Sequence, residues 1–294
     1  MEFNDYQTRA QDTDQNRNSG RGIEIALLGL AGETGSLLAE YKKKLRDGDA
    51  YRGFDEQVGE ELGDILWYVA TLASGYGLEL DDLAERNLTK TRRRFLLPKT
   101  PTPLPDEEDP PGQRLPRSFD YSFEYAMRDG AKKIVMRSAV GQIGDAVTDN
   151  AYADDGYRFH DVMHLSLAAH LGWSPVHRKL LMKAEPPQVE RRNKVKDEVE
   201  DGGRAQVIEE AIVALAYEYA ERSAQHTVNR VDWELLRSVR RLTKNQEVRS
   251  VTEAEWERAI LRGFEVWKEL KANDGGRVVG DLNARTLTFI PPVR

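Results

Sequence analysis

The stretch GLAGETGSLLAEYKKKL (residues 29–45), followed by EELGD (60–64), decides how this chain is read. Leu27, Leu30, Ala31, Leu37, Leu38, Tyr41 and Leu45 recur at helical spacing, and Asp47-Gly48 stops the run. The same helix carries Glu33 and Glu40, two turns apart, so both carboxylates leave one side. One helix later Glu61 and Asp64 are surface neighbours at a spacing of three. Packed antiparallel, these helices bring four acidic groups to one seam. Carboxylates gathered in a low-dielectric cleft repel, so the seam calls for a cation. A hard divalent ion with oxygen ligands fits best: Mg²⁺ first, with Mn²⁺ as the alternative. The competing reading is a solvated acidic face on an amphipathic helix.

Working outward, the first hundred residues read as helices over about 4–17, 23–46, 55–75 and 80–95. With no strand signal, they predict an all-α bundle. A unit this small buries little surface alone, so a homodimer or higher homo-oligomer is expected. Asn87, Lys90 and Arg94 share a face of the fourth helix, where they would meet a phosphate tail. The alternative for this basic run is a helix C-terminus complementing the macrodipole. Trp67, near Asp64, suits either the core or stacking on a base.

The stretch LPKTPTPLPDEEDPPGQRLP (97–116) holds seven of the twelve prolines and reads as a stiff connector. It divides a domain at 1–96 from one at 118–294, with a linker over 97–117. The second region opens with SFDYSFEYAM, a turn at RDG, then AKKIVMRSAV, which together predict a β-hairpin. Helices follow at about 157–172, 203–223 and 252–272, the last starting at a capping box, TEAE. GRVVGDL and RTLTFIPP suggest a second hairpin, and Trp256, Ile260, Phe264 and Trp267 form a core stripe. VERRNKVKDEVEDGG alternates charge and reads as a solvated loop or helix end. The expected architecture is mainly α: a helical bundle followed by an α+β domain with β-hairpins.

The net charge of -7 argues against general nucleic-acid binding. The absence of cysteine excludes disulfides and thiolate chemistry. The N-terminal residues lack a signal-peptide core, and no apolar run is expected to reach membrane-spanning length. A cytoplasmic location without membrane attachment follows as an expectation.

The blocks GLAGETGSLLAEYKKKL, EELGDILWYVATLA and NLTKTRRRF, over residues 5–95, together resemble the MazG-like nucleotide pyrophosphohydrolases of the all-α NTP pyrophosphatase superfamily. That resemblance implies Mg²⁺-dependent cleavage of nucleoside triphosphates between the α and β phosphorus. The family carries an ExxE pair on one helix and an ExxD pair on the next. Glu33, Glu61 and Asp64 occupy motif positions, and Asn87 and Lys90 fall in the following block. Ser36 stands where the second glutamate of ExxE belongs, and serine is a weaker Mg²⁺ ligand. Glu40 or Glu60 would have to compensate, or one metal position is weakened. The later region resembles the C-terminal domain appended to some MazG-like proteins.

YRFHDVMHL (157–165) places His160, Asp161 and His164 on part of one helix surface, a metal-ligand spacing. Glu209 and Glu210 lie in an apolar helix, where a buried carboxylate needs a partner: Arg204, Arg158 or a histidine. These five residues read either as a hydrogen-bonded core network or domain interface, or as a second metal or phosphate site. Three functions therefore stand at this point. They are a nucleotide pyrophosphohydrolase, a nucleotide sensor weakened by Ser36 that signals through its C-terminal domain, and a second metal phosphohydrolase at His160, Asp161 and His164.

Overall fold

The computed structural model describes residues 1–149, 155–192, 202–222 and 229–292, which form two compact units, Met1–Arg92 and Arg93–Arg294.

The first unit contains α1 (Phe3–Ala10), α2 (Gly22–Asp47), α3 (Phe54–Gly75) and most of α4 (Leu80–Phe95). The first helix ends seven residues earlier than the pattern suggested, because DTDQNRNSG is rich in turn formers and Asp14 accepts from the Asn16 amide at 2.9 Å. Side chains of α1 cap α4. Gln7 accepts from the Leu80 amide at 2.8 Å and donates to Leu78 O at 2.8 Å, and Asn4 accepts from the Asp81 amide at 3.1 Å. Gly29 allows α2 and α3 to approach closely; a Cβ there would stand 2.2 Å from the Tyr68 ring. The core is small, built on Ala10, Ala70, Ala73 and Leu80 with Tyr6, Trp67, Val69 and Leu83 against it. On α2 only Ala26 and Glu40 are buried, while Leu27, Leu38, Tyr41 and Leu45 are exposed. The segment Gly22–Ala50 is long and apolar enough to cross a membrane by length and composition, contrary to the expectation that no run is. Its carboxylates at 33 and 40 and the lysines at 42–44 are the features that a hydropathy average hides.

The second unit has a five-stranded antiparallel sheet in the order β3-β2-β1-β4-β5, with β1 at Ser118–Arg128, β2 at Ala131–Ser138, β3 at Gly141–Val147, β4 at Gly276–Asp281 and β5 at Thr286–Ile290. Phe119, Tyr121 and Phe123 alternate into the core, and Asp129 and Gly130 make the positive-φ turn that pairs Arg128 with Ala131. Both expected hairpins are present. The unforeseen β3 is an edge strand with two glycines, one fully buried side chain (Ile143) and a register irregularity against β2, so it carries no alternation to read.

The helices are α5 (Asp161–Leu171), α6 (Pro175–Lys183), α7 (Gly203–Arg222), α8 (Trp233–Leu242) and α9 (Glu253–Asn273). Helix α5 is buried all round. Val162, Leu165, Ala168 and Ala169 join the core under the sheet, while Met163, Leu167 and Leu171 join a second core with α7, α8 and α9. Gly263 on α9 lets α5 come close, since a Cβ would meet Met163 Sδ at 2.8 Å. The capping box forms at Thr252 and Glu255, and Trp256, Ile260 and Phe264 are buried. Helices α6 and α8 were not anticipated, although Ser174 before Pro175 and Asp232 before Trp233 are ordinary N-cap signals.

The proline-rich stretch is not a free connector but part of the second unit. Asp106 is fully buried, accepting from the Leu115 amide at 2.6 Å, Arg117 at 2.8 Å and Arg178 at 3.0 Å, and Leu115 enters the core. Prolines fix an extended path that these side chains then anchor. Most of the charge-alternating stretch at 189–203 lies outside the described residues.

Candidate metal centres in each unit

Helices α2 and α3 bring Glu33, Glu61 and Asp64 together, with one oxygen of each within 4.8 Å of the others. Partial loss of water pushes the Glu61 carboxyl above its usual range. The Glu33 charge and hydrogen bond, then Asp64 and Glu40, push it the same way. The Tyr6 hydroxyl of α1 is pushed up by burial and then by the Asp64 charge. Among the described residues no Lys or Arg side chain forms an ion pair with Glu33, Glu61 or Asp64. Oxygen-only donors and mutual repulsion are what a hard divalent cation would relieve, so the three residues fit Mg²⁺ or Mn²⁺.

The other residues singled out for this site fare differently. Glu40 is buried, but its carboxylate is engaged by Lys43 and the Tyr51 hydroxyl, which lower its pKa; it is not one of the converging ligands. Glu60 is exposed and accepts from the Gln57 amide at 3.5 Å. Ser36 is half-buried and brings no charge. Asn87 and Lys90 are exposed on α4. Arg94 is not available to a phosphate: it is buried in the second unit, 3.2 Å from Glu257 and 2.9 Å from Val231 O. Trp67 is half-buried, donates to Thr13 at 2.8 Å and stacks edge-on against Tyr68, so its indole serves the bundle.

In the second unit the carboxylate of Glu209 is fully buried and accepts three hydrogen bonds, from His164 Nδ1 at 2.9 Å, Ser174 Oγ at 2.5 Å and the Val176 amide at 2.7 Å. The partner of Glu209 is thus a histidine, not Arg204 or Arg158; the latter pairs with Asp149 at 2.6 Å. Burial alone would lower the His164 pKa, but Glu209 and then Glu210 outweigh it and lift it to about 10. Glu210 lies 3.5 Å from His164 Nε2 and is held below the usual range, chiefly by that histidine. His160 stacks on Tyr157 with ring centres 4.3 Å apart, and one ligand atom each of His160, Asp161 and His164 falls within a 4.8 Å group. Ser174 and Tyr157 were missed; only the Ser-Pro cap signal pointed to the first.

Two family models match: the MazG nucleotide pyrophosphohydrolase domain over residues 22–95 and the MazG C-terminal domain over residues 100–293. The "Gene 37 protein" of Mycobacterium phage L5 is 35% identical over 101 residues, covering 32% of this chain and 89% of that protein. No solved structure matches. With both domains matched in order and the acidic seam assembled between α2 and α3, the chain belongs to the MazG family, an all-α NTP pyrophosphatase domain extended by a MazG C-terminal domain.

Proposed function

We propose that the chain hydrolyses nucleoside triphosphates, or closely related nucleotides, to monophosphate and pyrophosphate. The observation that carries this reading is the convergence of Glu33, Glu61 and Asp64 within a domain matched to nucleotide pyrophosphohydrolases. These three side chains would hold Mg²⁺ or Mn²⁺, which when bound neutralises phosphate charge and makes a water more acidic. A carboxylate of the set orients the attacking water. Asn87 and Lys90, solvated on α4, are the donors left for phosphate oxygens once Arg94 is discounted. The test is a panel of ribo- and deoxyribonucleoside triphosphates with Mg²⁺, followed by chromatography of the phosphate species. Asp64→Asn should abolish pyrophosphate release while leaving the circular dichroism unchanged. Undiminished release would remove the basis of the reading.

A second reading, a nucleotide sensor with blunted catalysis, is favoured by Ser36 at a position that lacks its carboxylate. Ser36→Glu separates the two. A gain of tenfold or more from near-zero turnover supports the sensor, and little change in an already active protein supports the enzyme.

The enzyme is proposed to be a homo-oligomer. Leu27, Leu38 and Leu45 on α2 and Leu62 and Leu66 on α3 are exposed, and long helices in water rely on packing for most of their stability. A second copy covers this face. Light scattering should give at least a dimer, and Leu38→Glu should shift it toward monomer.

A further inference from the structure

We infer that His160, Asp161, His164 and Glu210 form a second metal site, in the C-terminal domain, for a borderline transition ion of the Zn²⁺ class. It is separate in sequence and chemistry from the carboxylate group of α2 and α3.

His164 Nδ1 is taken by Glu209 at 2.9 Å, and His160 Nδ1 by the Tyr157 carbonyl at 3.0 Å. Each ring is thereby anchored at Nδ1, and one ligand atom of each lies within 4.8 Å of the other and of an Asp161 oxygen. A carboxylate or backbone carbonyl on the far nitrogen is the usual support of a metal-bound histidine, because it fixes the tautomer and raises ligand basicity. His160 Nε2 stands 3.6 Å from Asp161 Oδ1, and His164 Nε2 3.5 Å from Glu210 Oε2. Ligand atoms at about 2.0–2.2 Å from a tetrahedral ion lie roughly 3.3–3.6 Å from each other, so the gaps already match.

An independent observation points the same way. His164 is 1% exposed, and its Nε2 makes no well-formed hydrogen bond; its nearest charged neighbour is the Glu210 carboxylate, 3.5 Å away. A buried nitrogen held only by so loose a pair gains from a metal ion, which would take the place of its Nε2 proton. Ring stacking of Tyr157 on His160 and the burial of α5 hold both imidazoles in place. Two imidazoles with two carboxylates favour Zn²⁺ or Co²⁺ over Mg²⁺.

The test uses the full chain carrying Glu61→Gln and Asp64→Asn, so that the first carboxylate group is disabled. Titration with Co²⁺ should give visible d–d bands at one equivalent, and Zn²⁺ should displace it. His160→Gln and Asp161→Asn, both at partly exposed positions and checked by circular dichroism, should each weaken Co²⁺ binding at least about tenfold. Absence of the bands, or bands unchanged by His160→Gln, would overturn the assignment.

Discussion

Replacing Glu209 by alanine strands three donors in a site closed to water: His164 Nδ1, Ser174 Oγ and the Val176 amide. A hydrogen bond to a charged group contributes about 1.5–3 kcal/mol, but a simple sum overcounts, because removing the carboxylate also removes its own desolvation cost. Breaking a buried pair by deleting one member costs about 3–5 kcal/mol, and that is the expected loss for Glu209→Ala. Glu209→Gln keeps the shape and an acceptor oxygen but turns an amide N–H toward at least one donor, so it should lose about 1.5–3 kcal/mol. Four of the five tryptophans lie in the second unit, so fluorescence-detected urea unfolding reports mainly on it. In thermal melts the alanine variant should lose roughly 6–20 °C, taking about 2–4 °C per kcal/mol for a domain of this size. A double-mutant cycle with Ser174→Ala should show coupling, since the two side chains are in contact at 2.5 Å. If Glu209→Ala unfolds within about 1 kcal/mol of the parent, the buried network does not hold α5, α6 and α7 together as argued.

His170 and His177 are buried and held neutral, their pKa lowered first by burial to about 4 and about 3, so the unfolded chain takes up their protons near pH 6.5 while the folded one does not. Stability is fully present above that value and should fall by roughly 1.4 kcal/mol per pH unit per histidine as pH drops toward 4 and 3. His164 runs the other way: its contribution is complete below pH 6.5 and is lost as pH rises to about 10. Urea midpoints across pH should therefore peak near neutrality, and a flat profile would contradict the burial of these rings. In the first unit, Glu61 binds a proton more tightly when folded, so without metal that unit should become more stable as pH falls through the Glu range. Mg²⁺ at about 100 times its dissociation constant should add ~2.7 kcal/mol, read as slowed amide exchange over α2 and α3 and absent in Glu61→Gln. Asp106→Ala should cost about 3–5 kcal/mol, because the Arg178 guanidinium is left buried beside an empty position; a loss below 1 kcal/mol would mean that the proline-rich segment is not anchored there.

Much of this molecule was legible before any coordinates. The apolar spacing in 23–46 and 55–75 located α2 and α3 to within a residue or two, and Asp129-Gly130 located a hairpin turn, because helix period and turn chemistry are local properties. The acidic residues on facing helices likewise announced a converging carboxylate group, since their spacing puts Glu61 and Asp64 on one surface. Direction in three dimensions was the part a linear pattern lacks. Glu40 shares a face with Glu33, yet Tyr51, brought round by the turn after α2, claims it. Arg94 follows Asn87 and Lys90 at helical spacing, but Glu257, far off in the chain, neutralises it in the second unit.

The proline run is the sharpest case. Composition alone makes it a spacer; only the meeting of Asp106 with Arg117 and Arg178 makes it part of a core. The sequence by itself determined which segments are helical, where the chain turns, and that carboxylates on α2 and α3 would gather. Tertiary structure decided which charges find partners and which stay free to bind something else. Secondary structure is set by neighbours within a few residues, whereas the fate of a charged group depends on residues that only folding brings near, as His164 and Glu209 show across forty-five positions.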